Sequence, residues 1–245
     1  MRVAILLLSL VAVTTVRSAE SKSTVTPLPL PDPDRAGQEL AAKLRDAMPE
    51  ADSSFSGTFQ IITSDDTIRI VPITSTITAT STNWTVTYRA TPTNGASPEV
   101  LTITHTPGQP SRYSYSVGTA PVQPVNLAAA FAGSDFSITD LGLEFFHWPQ
   151  QRREKHEMRH SRNCHVLESV SGNPSASGYA RVVSWVDIES GGIVRAEAYN
   201  KAGKKVKEFK VGHFRKVDGR WHLESMKIWT PTTGQETELK FDLNK

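Results

Sequence analysis

The sequence predicts a mainly β (α+β) protein: one curved antiparallel sheet of about eleven strands with about three covering helices. Three observations carry that prediction. After Phe55 apolar residues alternate with polar ones at period two, and turn residues separate the alternating runs. A few stretches change to helical spacing instead. Of the 245 residues 38% are hydrophobic and 21% charged, with a net charge of +2. That balance belongs to a globular protein and argues against nucleic-acid binding.

The chain opens with "MRVAILLLSLVAVTTVRSAES". Arg2 precedes an apolar run, Val3 to Val16, too short to span a bilayer comfortably, and small residues follow. This is the pattern of a secretory signal peptide, residues 1–19, cut after Ser18 or Ala19; an uncleaved anchor is the alternative. "ESKSTVTPLPLPDPD" then predicts a Pro-rich extended linker over residues 20–34. One domain is expected over residues 35–245. Cys164 is the only cysteine, so no internal disulfide can form and none stands beside the cleavage site to take a lipid anchor. Asn83-Trp84-Thr85 fits a glycosylation sequon, which matters only in a eukaryotic secretory pathway.

A first helix is predicted from Asp34 through "RAGQELAAKLRDAM", with Leu40, Leu44 and Ala47 at helical spacing and Pro49 as its end. "NWTVTYRA" alternates Trp84, Val86, Tyr88 and Ala90 against Thr85, Thr87 and Arg89. Phe59 with Ile61, and Ile68 with Ile70, repeat the signal, as do Val100 to Thr104 and Tyr113 to Val117. A second helical piece is expected around Val125 to Phe131. The C-terminal part reads as a meander over Cys164 to Val170, Ala180 to Ile188, Val194 to Asn200, Lys204 to Arg215, Arg220 to Thr230 and Gln235 to Leu243. "ESGG", "NKAGK", "VDGR" and "PTTGQ" supply its turns. In the last strand Thr237, Leu239, Phe241 and Leu243 share one face. So large an antiparallel sheet curls, and helices cover its concave face.

The third helix is predicted inside "GSDFSITDLGLEFFHWP", Gly133 to Pro149. Ser137 and Asp140 form a capping box, Phe136 and Leu141 a hydrophobic staple, and Pro149 ends a helix from about Ile138 to Trp148. Leu141, Phe145 and Trp148 fall on one stripe, Leu143 and Phe146 on a neighbouring face. The apolar arc is roughly twice the ~100° that one packing surface needs. Such a helix is buried on two sides or faces a cavity.

"GSDFSITDL", "YARVVSWVDIESGGIVRAEAYNKAGKKVKEF" and "GRWHLESMKIWTPTTGQETELKFD" resemble the bacterial outer-membrane lipoprotein-sorting proteins, relatives of carriers with the LolA/LolB fold. The resemblance runs from about Arg35 to Leu243. It implies an incomplete antiparallel barrel with helices plugging the open side and acyl chains held in its cavity. The implied role is transport without chemistry: a periplasmic carrier for lipoprotein acyl chains or another lipid, handed on by membrane-bound donor and acceptor proteins. A monomer without cofactor or metal is expected. A lipid- or lipoprotein-sensing domain on the same scaffold stays open. From the apolar pattern, Leu141, Leu143, Phe145, Phe146 and Trp148 form a lid held by weak apolar contacts. Trp84, Val86, Tyr88, Leu239 and Phe241 form the opposite wall.

"RREKHEMRHSRNCH" raises a different chemistry. His156, Glu157 and His160 match H-E-x-x-H, which on a helix supplies two zinc ligands and a general base. Against it, the segment reads as a charged connector without a third ligand. Its arginines and the cluster from Lys201 to Lys210 read as solvated faces or edge protection. Cys164 is expected to pack at the start of a strand, a reactive thiol remaining open beside Arg162 and His165.

Overall fold

The computed structural model describes residues 32–217 and 220–242. The expected signal peptide, the expected linker up to residue 31 and Leu243 lie outside them. Helix α1 (Pro33–Arg45) starts at Asp32, whose carboxylate accepts the Asp34 N–H at 3.1 Å, with Pro33 in the first turn and Lys43 and Arg45 in the last. Each of these suits the helix dipole and its unpaired end groups. α1 buries Ala36, Ala41 and Leu44.

Among the described residues thirteen strands form one antiparallel sheet in the order β6-β5-β4-β3-β2-β1-β15-β14-β11-β10-β9-β8-β7. The N-terminal half is a meander of β1 (Ser53–Ile62), β2 (Ile68–Ala79), β3 (Trp84–Ala90), β4 (Glu99–His105), β5 (Arg112–Val117) and β6 (Ala120–Pro121). The C-terminal half comprises β7 (Gln150–Arg159), β8 (Arg162–Val170), β9 (Arg181–Asp187), β10 (Ile193–Tyr199), β11 (Lys205–Val211), β14 (Ser225–Thr230) and β15 (Gln235–Phe241). Strand β15 joins the halves by pairing with β1, setting Phe59 opposite Leu239 and Ile61 opposite Thr237. A separate hairpin of β12 (Phe214–Val217) and β13 (Arg220–Leu223) leaves the sheet between β11 and β14.

The sheet is open at β6 and β7 but strongly curled. Glu144 meets Tyr113 of β5, while Asp140 meets Lys207 of β11. Those strands are seven places apart in the sheet, ~33 Å if it lay flat. Two carboxylates four residues apart cannot bridge that distance, so the concave face wraps around them. Inside lies a large apolar cluster from β1–β4, β11, β14 and β15, filled by Phe131, Phe136, Ile138 and Leu141 of the long β6–β7 connection. A second cluster sits under α1, where Ala41 and Leu44 meet Phe145, Phe146, Trp148 and Leu167.

Five sequence expectations are corrected here. The described residues hold thirteen strands plus two against the expected eleven or so, because edge strands and short hairpins carry little alternation. Val125 to Phe131 is not helical: the Leu127 carbonyl accepts from Thr139 and the Phe131 N–H donates to Phe136, so the connection folds back on itself. The charged "connector" is edge strand β7, whose arginines and bulge at Arg153/Lys155 suit an edge. Lys204–Arg215 and Arg220–Thr230 each break in two, at Gly212–His213 and at Glu224, where the hairpin departs. The helix expected over Ile138–Trp148 is only a turn, α2 (Ile138–Leu141), followed by a 3-10 turn at Glu144–His147. A further single turn, α3 (Pro174–Ser177), was not foreseen.

Candidate functional site

The concave face is plugged by Gly133–Pro149, and the first half of that plug is anchored by polar groups. Gly133 has φ +64°, and a Cβ there would strike the Arg69 guanidinium, which donates to the Ala132 and Gly133 carbonyls. The Asp135 carboxylate accepts from Thr230, Gln235 and Thr237 of the β14–β15 hairpin. Phe136 stacks on Phe59 at 5.2 Å. The predicted capping box is present: the Ser137 N–H donates to Asp140 at 2.8 Å and the Asp140 N–H to Ser137 Oγ at 3.2 Å. Asp140 also accepts from the Tyr179 hydroxyl at 3.0 Å and from Lys207 Nζ at 2.9 Å. Asp135 and Asp140 fasten this half, which precedes most of the expected lid, to the wall.

The second half departs from helix at Gly142 and Leu143. A Cβ on Gly142 would lie 2.3 Å from the Tyr113 hydroxyl, and Leu143 takes a left-handed φ of +49°. A non-glycine residue held there stores strain of about 1–2 kcal/mol. The following turn is tied at both ends. The Tyr113 hydroxyl donates to Glu144 at 2.6 Å, and burial raises the Glu144 carboxyl above its ordinary pKa. Gln151 Nε2 donates to the Phe145 and Trp148 carbonyls at 2.9 and 3.0 Å, while Ser169 Oγ donates to Gln151 Oε1 at 2.7 Å. Ser111 Oγ sits 3.0 Å from His105 Nδ1 and 3.2 Å from His147 Nε2. Burial is the main cause that pushes both imidazoles down to about 4, helped at His105 by His147 and at His147 by Arg45.

Between this turn and strands β9–β11 and β14 lies a cavity of about 40 Å³. Leu143 and Phe145 close it from the plug, and Val182, Ala196, Ala198, Phe209 and Ile228 from the wall; Asp140 and Lys207 are its charged members. The predicted lid residues therefore part company. Leu141 joins the large cluster with Trp84, Val86, Tyr88 and Leu239, with Phe241 packed on its margin. Phe146 and Trp148 lie under α1.

Sequence reading missed Ala196 and Ala198, whose small side chains leave the space, and it took Lys207 for a solvated lysine. The signal was present: Lys207 and Phe209 are two residues apart on one strand, so they share a face.

The H-E-x-x-H letters lie on β7 and its turn, not on a helix. His156 is paired with His165, ring centroids 4.6 Å apart, whereas Glu157 is paired with Cys164 and accepts from the Trp185 indole at 3.2 Å. Successive strand residues point to opposite faces, so Glu157 cannot serve a metal on His156, and His160 sits in the turn at φ +48°. Cys164 is buried, and burial pushes its thiol pKa up, opposite to an activated thiolate.

A protein-family model described as "Uncharacterized protein" matches residues 81–244. The chain belongs to that family. Its fold recurs in solved structures. A DUF1329 family protein from Desulfovibrio piger superposes with a TM-score of 0.70 at 19% identity, covering 86% of this chain and 92% of that one. A structure described as an outer membrane lipoprotein-sorting protein domain, from Vibrio parahaemolyticus, gives 0.67 at 19% identity, with 85% and 91% covered. A LolA superfamily protein from Nitrosomonas europaea gives 0.58 at 15%, also covering 85% and 91%. The incomplete antiparallel barrel implied by the sequence resemblance is thus the fold of this protein. No curated protein matches by sequence.

Proposed function

We propose that this protein is an exported, periplasmic carrier that shelters the acyl chains of a lipoprotein, or of another lipid, on its concave face. It moves them toward the outer membrane without chemistry, as a soluble monomer released from its signal peptide. Leu143 and Phe145 act as the movable part of the lid. Leu141, Phe146 and Trp148 steady it, and Trp84, Val86, Tyr88, Leu239 and Phe241 serve as the facing wall. Membrane-bound donor and acceptor proteins load and unload it.

One observation carries the reading. The apolar interior of the half-barrel narrows to a cavity of about 40 Å³ beneath a short, strained turn. A space of this kind needs only about 10–15 Å³ to hold one water, so the cavity takes a few waters and an acyl chain enters only if the turn gives way. The energetics permit it: about ten buried methylenes gain roughly 8 kcal/mol. Releasing the turn sacrifices a handful of hydrogen bonds, each with a net worth of about 1 kcal/mol, and relieves strain at Leu143. The anchored half of the plug stays in place and limits how far the barrel opens. The outward face carries alternating charges instead, such as Arg195, Glu197, Lys205 and Glu208 in one ion-paired group.

The test is direct. Protein purified from the soluble periplasmic fraction should carry lipid detectable by mass spectrometry and should bind fatty-acyl probes when stripped. Lipid-free protein that ignores such probes would overturn the proposal.

A further inference from the structure

Besides Ser184 Oγ on β9, three polar atoms inside the barrel have no hydrogen-bond partner among the described residues. They are Ser75 Oγ on β2, and Trp84 Nε1 and the Tyr88 hydroxyl on β3. The residues are 0%, 3% and 1% exposed. Ser75 and Tyr88 are direct cross-strand partners, and Trp84 lies four residues before Tyr88 on the same strand. All three therefore share the concave face. Buried polar groups are almost always paired, and leaving one orphaned costs about 1–3 kcal/mol. Three on one patch of one ladder form a set.

Each atom of that set can donate a hydrogen bond, and the indole can do nothing else. The missing partner is therefore an acceptor. The position says what kind of molecule brings it. Phe131 of the plug connection packs edge-on to the Tyr88 ring at 6.5 Å, and Ile138 and Leu141 belong to the same cluster. Phe209 and Ile228, which line the cavity, belong to it too, so the interior is continuous from the cavity to the orphaned donors. The cavity's lysine is held by Asp140 at the other end.

We infer that the Tyr88 hydroxyl, supported by Trp84 and Ser75, receives the carbonyl oxygen of an acyl ester or acyl carboxylate drawn into the barrel. The inference rests on the carrier reading and sharpens it. The protein selects acyl compounds with an oxygen acceptor, not hydrocarbon as such. In the empty state plug side chains cover the donors and leave them unpaired. In the loaded state the acceptor pairs the Tyr88 hydroxyl, and that differential interaction favours opening.

Binding of methyl dodecanoate, dodecanoate and dodecane to the full-length chain and to Tyr88→Phe tests this, by displacement of a fluorescent acyl probe. The variant keeps the ring and removes only the orphaned oxygen. Wild type should bind the ester or the acid at least tenfold more tightly than dodecane, and whichever is preferred identifies the form received. Tyr88→Phe should remove most of that ratio. Equal binding of all three probes, or a preference that survives in Tyr88→Phe, overturns the inference and leaves the carrier reading standing. Failure of every probe to bind overturns both.

Discussion

Lys207 of β11 reaches Asp140 of the plug at 2.9 Å, with 17% and 14% of the two side chains exposed. Lys207 donates as well to the Asp135 carbonyl and lies 5.5 Å from the centre of the Tyr179 ring. Burial works against the ammonium, but Asp140 and Tyr179 outweigh it and hold the Lys207 pKa above its ordinary value. The residue that the sequence offered as a surface lysine is the cation pinning the plug to the wall.

Removing one member of that pair strands the other in a poorly solvated site. Lys207→Met and Asp140→Asn should each cost about 3 kcal/mol, and the double variant less than their sum by about 2 kcal/mol. Urea denaturation reads all four corners of the cycle. Strict additivity would show that the two charges do not support each other.

Gln151 divides the plug into a fixed and a yielding part. Gln151→Met deletes its two donations to the Phe145 and Trp148 carbonyls and leaves Ser169 without its acceptor. The expected cost is roughly 2–3 kcal/mol. Hydrogen exchange should accelerate over residues 143–148 and stay slow over 133–141. Equal acceleration in both segments would mean that the plug moves as one piece.

The two histidines on Ser111 make stability depend on pH. Their folded pKa values are pushed from 6.5 to about 4, chiefly by burial, so between those values the unfolded chain binds more protons. Their stabilisation is complete above pH 6.5 and is lost as the pH falls toward 4. Glu144 works the other way, since its raised pKa lets the folded state take up a proton earlier. Urea midpoints at about pH 7 and about pH 4.5 should differ less in the His105→Gln/His147→Gln variant than in wild type. An unchanged difference would move the source elsewhere.

Tyr88→Phe has an unusual expected sign. A buried tyrosine that loses a bonded hydroxyl is destabilised, but this hydroxyl bonds nothing among the described residues. The ligand-free variant should gain about 1 kcal/mol in urea denaturation. A loss of that size would reveal a partner for the oxygen.

Legibility followed the local physics. β3 and β15 were readable because each has one apolar face and pairs on both sides. The capping box was readable because Ser137 and Asp140 satisfy each other's backbone within one turn. Strand β7 was not, because an edge strand lacks a neighbour on one side and this one is charged along most of its length. The end of the plug was misread for a similar reason. Leu143 to Trp148 carry a helical apolar pattern, but Gly142 yields to Tyr113, a residue nearly thirty positions away.

The sequence by itself determined a mainly β chain, most of its strand windows, the first helix and the capped start of the plug, since all of these rest on patterns among near neighbours. Only the tertiary structure decided that Lys207 turns inward to Asp140, that Leu143 and Phe145 rather than the whole apolar stretch close the cavity, and that the donors of Ser75, Trp84 and Tyr88 lack partners among the described residues. Those features arise where strands distant in sequence curl around one segment, and side-chain periodicity carries no record of which distant face a residue will meet.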